Sequence, residues 1–344
     1  GDTLKYFSTA SRICNENLTE IFNFYFYSNL EIWQLDSLRS AFFIKCVIPF
    51  VYLSGSNYWI SALLLASFSC IVLLIVINRY KHLWKNESIL YIGLFAFPSV
   101  LIWTSGIFKE NIALLFLILA FLPILEYRKD GYLKVNLLIW SLSILSILFF
   151  FGIRFFLIIP FILSVLVYLL FEADFKSKLQ KYSILGILTL AVLCILYFNP
   201  VLNPSELPKY IFQAYDSIIN SKTIHSDIDY PLTSGTWKDI FYNSPMALVN
   251  LFIRPFPWEW NKLEYILYSL ENYFLIFLIV YAFLKSREKL TLRLLIMIII
   301  MISMILIALA TPNFGSLFRY KSLFIPFIII SLDINLNLKF KPIA

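Results

Sequence analysis

The stretch YWISALLLASFSCIVLLIVIN, residues 58–78, contains no Asp, Glu, Lys or Arg. A helix that crosses the hydrocarbon core of a bilayer needs roughly 20 mostly apolar residues, and this run supplies them. Working outward, eight further stretches of similar character lie at about 88–107, 111–126, 135–151, 155–171, 183–198, 265–284, 291–310 and 322–336. The expected fold class is therefore an all-α polytopic integral membrane protein of about nine spans. Several are short and depend on tilt or on flanking side chains that reach back to the interface. The apolar run 40–54 is shorter still and carries Lys45. It reads as an amphipathic helix lying in the membrane surface. A tenth span there is the competing reading, and it would invert the topology downstream.

Composition points the same way. Hydrophobic residues make up 60% of the chain and charged residues 14%, with a mean hydropathy of +0.80. A soluble domain is nearer half apolar and a quarter charged. Aromatic residues reach 18%, which suits lipid-facing surfaces and interfacial belts. Cys14, Cys46, Cys70 and Cys194 are scattered, with no paired spacing to suggest a disulfide framework or a zinc site. The net charge of +7 is accounted for by membrane topology, and no nucleic-acid partner is expected. The chain opens Gly1-Asp2 without a Met; upstream sequence, including a first span, is expected.

Charge bias sets the orientation. Alternate connections RYKHLWKNE (79–87), EYRKDGYLK (126–134), EADFKSKLQK (172–181) and KSREKLTLR (285–293), with the LKFK tail, hold over half of the 28 Lys and Arg residues. The short connections on the other side hold Lys109, Arg154, Arg319 and Lys321. By the positive-inside rule the first set is cytoplasmic. The expected organisation is an external segment over 1–57, a six-span bundle over 58–198, a large external loop over 199–264, and three spans with a cytoplasmic tail over 265–344.

The outer face then gathers the unusual polar groups: Asp2 and Tyr6 in GDTLKYF, Trp103, Lys109 and Glu110 in WTSGIFKEN, Arg154, the SDIDYP segment, Arg254, Trp258 and Glu259 in RPFPWEW, and Arg319 with Lys321. An ionisable group at a membrane boundary is costly unless it is paired or faces water. Each has a plainer reading. Asp2 would serve as an ordinary loop carboxylate, and Lys109 with Glu110 would pair and cap a helix. Arg154, with no adjacent carboxylate in sequence, would snorkel to head groups. Arg319 and Lys321 would anchor the outer leaflet, and RPFPWEW would form a rigid loop. Asp227 and Asp229 have the spacing of a possible divalent-cation pair; neither His82 nor His225 has the partners of a catalytic triad. Taken together, cations and a carboxylate on one membrane face suit a phosphate on a lipid whose tail lies among the helices. Arg and Lys hold the phosphate, and a carboxylate takes a proton from an attacking hydroxyl.

This pattern resembles the GT-C-type glycosyltransferases, bacterial members included. These polytopic enzymes use polyprenyl-phosphate sugars at the outer side of the membrane. Asp2 and Tyr6 match that family's Asp in the first external loop, segment 17–54 its surface stretch, and 199–262 its large external loop. FPSVLIWTSGIFKEN (97–111), RPFPWEW (254–260) and NFGSLFRYKSLFIP (313–326) are similar in type. The resemblance implies an inverting transferase with Asp2 as base. Lys109, Arg154, Arg319 and Lys321 would hold the lipid phosphate. Tyr6, Trp103, Glu110, Arg254, Trp258 and Glu259 would be substrate contacts. The donor would be a polyprenyl-phosphate-linked sugar, and the acceptor a glycan, lipid or protein. Two departures stand out: the family's first span is not in this chain, and its paired acid is a single Asp, which bears on metal dependence. The competing readings are a polysaccharide polymerase or O-antigen-type ligase using lipid-pyrophosphate donors, and a transporter or flippase. Abundant Lys, Ile, Phe, Asn and Tyr with only 9 Gly suit an AT-rich bacterial genome, hence an inner membrane with the site facing the periplasm or exterior.

Overall fold

The computed structural model describes residues 2–16, 18–26, 38–84, 87–130, 136–154, 157–171, 203–220, 228–285 and 290–332, with isolated positions between 182 and 197. In chain order the helices are α1 Asp2–Asn15, α2 Leu18–Phe26, α3 Leu38–Leu53, α4 Tyr58–Tyr80, α5 Ser88–Phe95, α6 Pro98–Thr104, α7 Lys109–Ala120, α8 Leu122–Asp130, α9 Leu137–Arg154 and α10 Ile158–Phe171. They continue as α11 Leu207–Ile219, α12 Trp237–Phe252, α13 Leu263–Lys285, α14 Leu290–Ala310 and α15 Phe314–Leu332. No strand occurs among the described residues.

Among the described residues, four helices are long and apolar enough to cross a membrane: Tyr58–Leu83, Leu137–Arg154, Leu263–Leu284 and Phe314–Leu332. A fifth crossing is made if the bent pair α6–α7, whose arms diverge by 102°, counts as one broken span. The expected spans at 58–78, 135–151, 265–284 and 322–336 fall on the four, and 111–126 falls on one arm of the bent pair. The stretch 291–310 falls on α14, where Met297–Ala310 counts as a shorter apolar helix; 155–171 is helical over α10, and most of 183–198 lies outside the described residues.

The stretch 88–107 departs from one continuous helix, for a local reason. A residue preceding proline is pushed out of the α region, so α5 ends and Phe97 is non-helical before Pro98 opens α6, a position proline favours. The Ser99 amide exposed by this break donates to Glu271 Oε2 at 2.7 Å, and the Ser99 hydroxyl to Glu271 Oε1 at 2.6 Å. The last helix also differs from expectation. Asn313 caps it, accepting from the Ser316 amide at 3.1 Å, so the helix starts at Phe314 and carries Arg319 and Lys321 within it rather than in a preceding turn.

The chain forms two compact units. In the first, residues 1–83 and 101–158, α3 packs on α1, α4, α7 and α9, and α7 lies along α9. α1 has its apolar side at Tyr6, Ala10 and Ile13, all buried, at the spacing one face of a helix requires. Asn57 caps α4 by accepting from the Trp59 and Ile60 amides at 3.1 and 3.2 Å. At its far end Arg79 and the Tyr80 hydroxyl converge on the buried Glu126, Tyr80 at 2.6 Å. In the second unit, residues 84–100 and 159–344, α15 is the central helix and contacts α5, α13 and α14. Gly93 permits the α5 contact, since a Cβ there would meet the Pro326 backbone and Ile329 Cβ at 3.4 Å. The outward faces of α4 and α9 in the first unit, and that of α13 in the second, each carry exposed large apolar side chains, the character that lipid-facing helix surfaces have.

Candidate functional site

In the first unit the α6–α7 bend places charged groups at the start of a helix that is otherwise apolar. α7 opens at Lys109 with Glu110 in its first turn, and both side chains are buried. Arg154 arrives from the last turn of α9, also buried, and pairs with Glu110. The ammonium of Lys109 lies 3.2 Å from the Ser40 hydroxyl of α3 and 4.6 Å from the centre of the Tyr6 ring of α1. Among the described residues, four helices thus meet around Lys109, Arg154 and Glu110. Ionised groups removed from water cost several kcal/mol each unless paired, and the positive end of the α7 dipole lies at the same place. Trp103 stacks edge-on with Phe108 at 5.0 Å beside the bend. Asp2 opens α1 one turn before Tyr6; its side chain, like Asp227 and His225, lies outside the described residues.

Sequence adjacency suggested no carboxylate for Arg154. The structure supplies Glu110 from 44 residues away, so Arg154 is an ion-paired interior group. That pairing arises from helix packing and is not visible in spacing.

In the second unit the predicted residues serve a different arrangement. Arg254 binds Glu259 within its own RPFPWEW motif, with Nε 3.0 and 3.1 Å from the two carboxylate oxygens, and donates to Asn250 Oδ1 at 3.0 Å. Hydrogen bonds from Arg254 hold the Glu259 carboxyl below its ordinary value of 4.5. Trp260 donates to Ser269 Oγ at 2.7 Å, while Trp258 is exposed and stacked on Phe256 at 4.6 Å. These contacts make RPFPWEW a braced turn between α12 and α13. Asn250 in turn donates to the Tyr230 hydroxyl at 3.0 Å, and burial pushes that hydroxyl up to about 12. Asp229 accepts from Tyr215 at 2.7 Å. Among the described residues no three His, Cys, Asp or Glu side chains converge.

Lys321 is 1% exposed. Its ammonium donates to the Leu251 carbonyl at 3.1 Å and to Asn272, and lies over the Phe252 and Phe318 rings at 5.5 and 5.4 Å. Asn272 passes the connection on, donating to the Arg254 carbonyl at 2.7 Å. Lys321 therefore ties α15 to α13 and to the end of α12. Arg319, two residues earlier, is half-buried.

Ser40, Glu271 and Asn272 were not singled out by the sequence. Ser40 carried no signal. Glu271 and Asn272 did, since an acid and an amide in the middle of the apolar run 265–284 need partners.

Compared with known proteins, the chain matches no family model, no curated protein and no solved structure.

Proposed function

We propose that this chain is a membrane glycosyltransferase of GT-C architecture. It moves a sugar from a polyprenyl-phosphate donor to an acceptor at the outer face of a bacterial inner membrane, through a bundle of about nine spans. The observation that carries the reading is the cationic cluster of the first unit. Lys109 and Arg154 are buried beside the bend of a helix pair, Arg154 paired with Glu110, in the same unit as the Asp2-bearing α1.

The chemistry follows from those residues. The acceptor oxygen attacks the sugar carbon from the face opposite the phosphate, and the carbon–oxygen bond to phosphate breaks with inversion. The acceptor proton passes to the Asp2 carboxylate, and polyprenyl phosphate leaves as the anion. Lys109, oriented by Tyr6 and Ser40, offsets the charge that grows on the departing phosphate. Arg154, fixed by Glu110, contributes a second donor edge. Arg319 and Lys321, which this reading also assigns to the lipid phosphate, belong to the second unit, where Lys321 is engaged with Leu251 and Asn272.

The test separates roles by variant. In proteoliposomes given labelled polyprenyl-phosphate sugars and an envelope acceptor fraction, Asp2→Asn is expected to lower transfer by about 10²–10⁴-fold, as for loss of a general base. Lys109→Gln is expected to lower it by about 10²–10³-fold, as for loss of a charge-stabilising donor. Full activity of Lys109→Gln at equal expression would remove the cationic cluster from the reaction. Turnover of lipid-pyrophosphate glycans alone would favour a polymerase or ligase, and consumption of neither would favour a transporter.

A further inference from the structure

α12, Trp237–Phe252, has two faces of opposite character. Ile240, Asn243, Ala247, Asn250 and Leu251 are buried, positions that fall within one arc of a helix of 3.6 residues per turn. The opposite arc carries Phe241 at 71% exposure, Tyr242 at 78%, Pro245 and Met246, with Trp237 at its edge. Lys238 is the one charged side chain exposed on that arc. The Asp239 carboxylate is turned away into the helix cap, where it accepts from the Ser234 amide and hydroxyl at 2.9 and 2.7 Å. In water this would be a contiguous aromatic patch with nothing to cover it, which soluble surfaces avoid.

The neighbours of α12 say what covers it. Its buried face packs on the apolar helix α14. Its C-terminus leads through the braced Arg254–Glu259 turn directly into α13, the membrane-length helix that opens with an exposed Leu263. The exposed Trp258 lies in that turn. The bilayer boundary is thus fixed at the end of α12 by the start of a span, and aromatic residues with a polar edge concentrate at such boundaries. We infer that α12 is an interfacial helix whose Phe241–Tyr242–Met246 face lies in the head-group boundary of the lipid bilayer, bedding the second unit on the membrane surface. The surface is independent of the glycosyltransferase reading and holds for any protein with these spans.

The experiment uses the whole chain in phospholipid nanodiscs with the photoreactive residue benzoylphenylalanine in place of Tyr242, an aromatic-for-aromatic exchange. Parallel chains carry it at Phe277, on the outward face of α13, and at Lys209, exposed in an ion pair with Glu206 on α11. After illumination, the Tyr242 and Phe277 positions are expected to gain the mass of one phospholipid, and Lys209 to gain none. A second placement, at Phe241, guards against misfolding of the first and is expected to give the same adduct. A cross-linked pair of chains at Tyr242 would show that a second copy covers the face, and would overturn the inference. So would absence of a lipid adduct at both Phe241 and Tyr242 while Phe277 is labelled, or labelling at Lys209 equal to that at Tyr242.

Discussion

Glu110 and Arg154 meet in the interior of the first unit, 44 residues apart in sequence and nearly out of reach of solvent. The energetic rule for such pairs is asymmetric. Removing one partner strands a buried charge and costs about 3–5 kcal/mol, whereas replacing both by apolar residues of similar volume is often neutral. Glu110→Leu and Arg154→Met alone are therefore each expected to lower thermal stability sharply. The double variant should recover most of the loss in the same unfolding assay. If Arg154 also holds the donor phosphate, the double variant stays inactive although it is folded, which separates the packing role from the chemical one.

A second residue-scale expectation concerns pH. Arg254 holds the Glu259 carboxyl below its ordinary value of 4.5, so the folded turn prefers the ionised form. The stabilisation is present above the unfolded value and is lost as pH falls through the folded one. Proteolysis of the 254–260 turn should thus be slow at neutral pH and rise only below about pH 4.5, where carboxylates protonate. Glu259→Gln should cut readily at all pH values. A pH-independent rate in the unaltered protein would show that the Arg254–Glu259 bonds do not secure the turn.

Among the elements, the α5–α15 contact leaves room for no more than a methyl group at Gly93. A Cβ at Gly93 would sit 3.4 Å from Pro326 and Ile329, an ordinary contact, so Gly93→Ala should be tolerated. Gly93→Leu must push the helices apart, and overpacking of this kind costs about 1–3 kcal/mol. A thermal-unfolding series of the two variants checks this, and equal midpoints would mean that the helices do not approach closely there. At this scale the sequence was informative wherever apolarity was continuous. The run 58–78 could only be a long helix, and α4 covers it. It was less informative at Pro98, where the cue for a break was present but the partner that makes the break affordable, Glu271, lies in another helix. The start of α15 differs from the expected span at 322–336 because Asn313 caps the helix at Phe314, so the connection that holds Arg319 and Lys321 is itself helical. Of the candidate site, Lys109, Glu110 and Arg154 were legible as costly charges at membrane boundaries. Their pairing, and the roles of Tyr6 and Ser40 around Lys109, were not, because these contacts depend on how α1, α3, α7 and α9 pack.

For the molecule as a whole, the described residues include four helices long and apolar enough to cross a membrane and one bent pair. Each unit buries charged groups where they find partners: Lys109, Glu110 and Arg154 in the first, and Glu271 and Lys321, with the amide of Asn272, in the second. Burying an ionisable group among apolar helices is expensive, and under the proposed function the binding of a lipid phosphate gives the charges of the first unit their use. The same reasoning gives the orientation its test: an exposed tag placed in the 79–87 connection should be protected in intact cells, and one in 199–264 should be labelled from outside. The reverse pattern would place the cationic cluster on the cytoplasmic side.

The most direct measurement is transfer itself. Purified protein in proteoliposomes would be given a panel of labelled polyprenyl-phosphate sugars and an acceptor fraction, with release of polyprenyl phosphate followed alongside the appearance of label in the acceptor. The expected result is equimolar release and transfer with at least one donor, lost in Asp2→Asn and in Lys109→Gln. Polyprenyl-phosphate sugars left intact throughout the panel, by a folded protein and a competent acceptor fraction, would contradict the assignment.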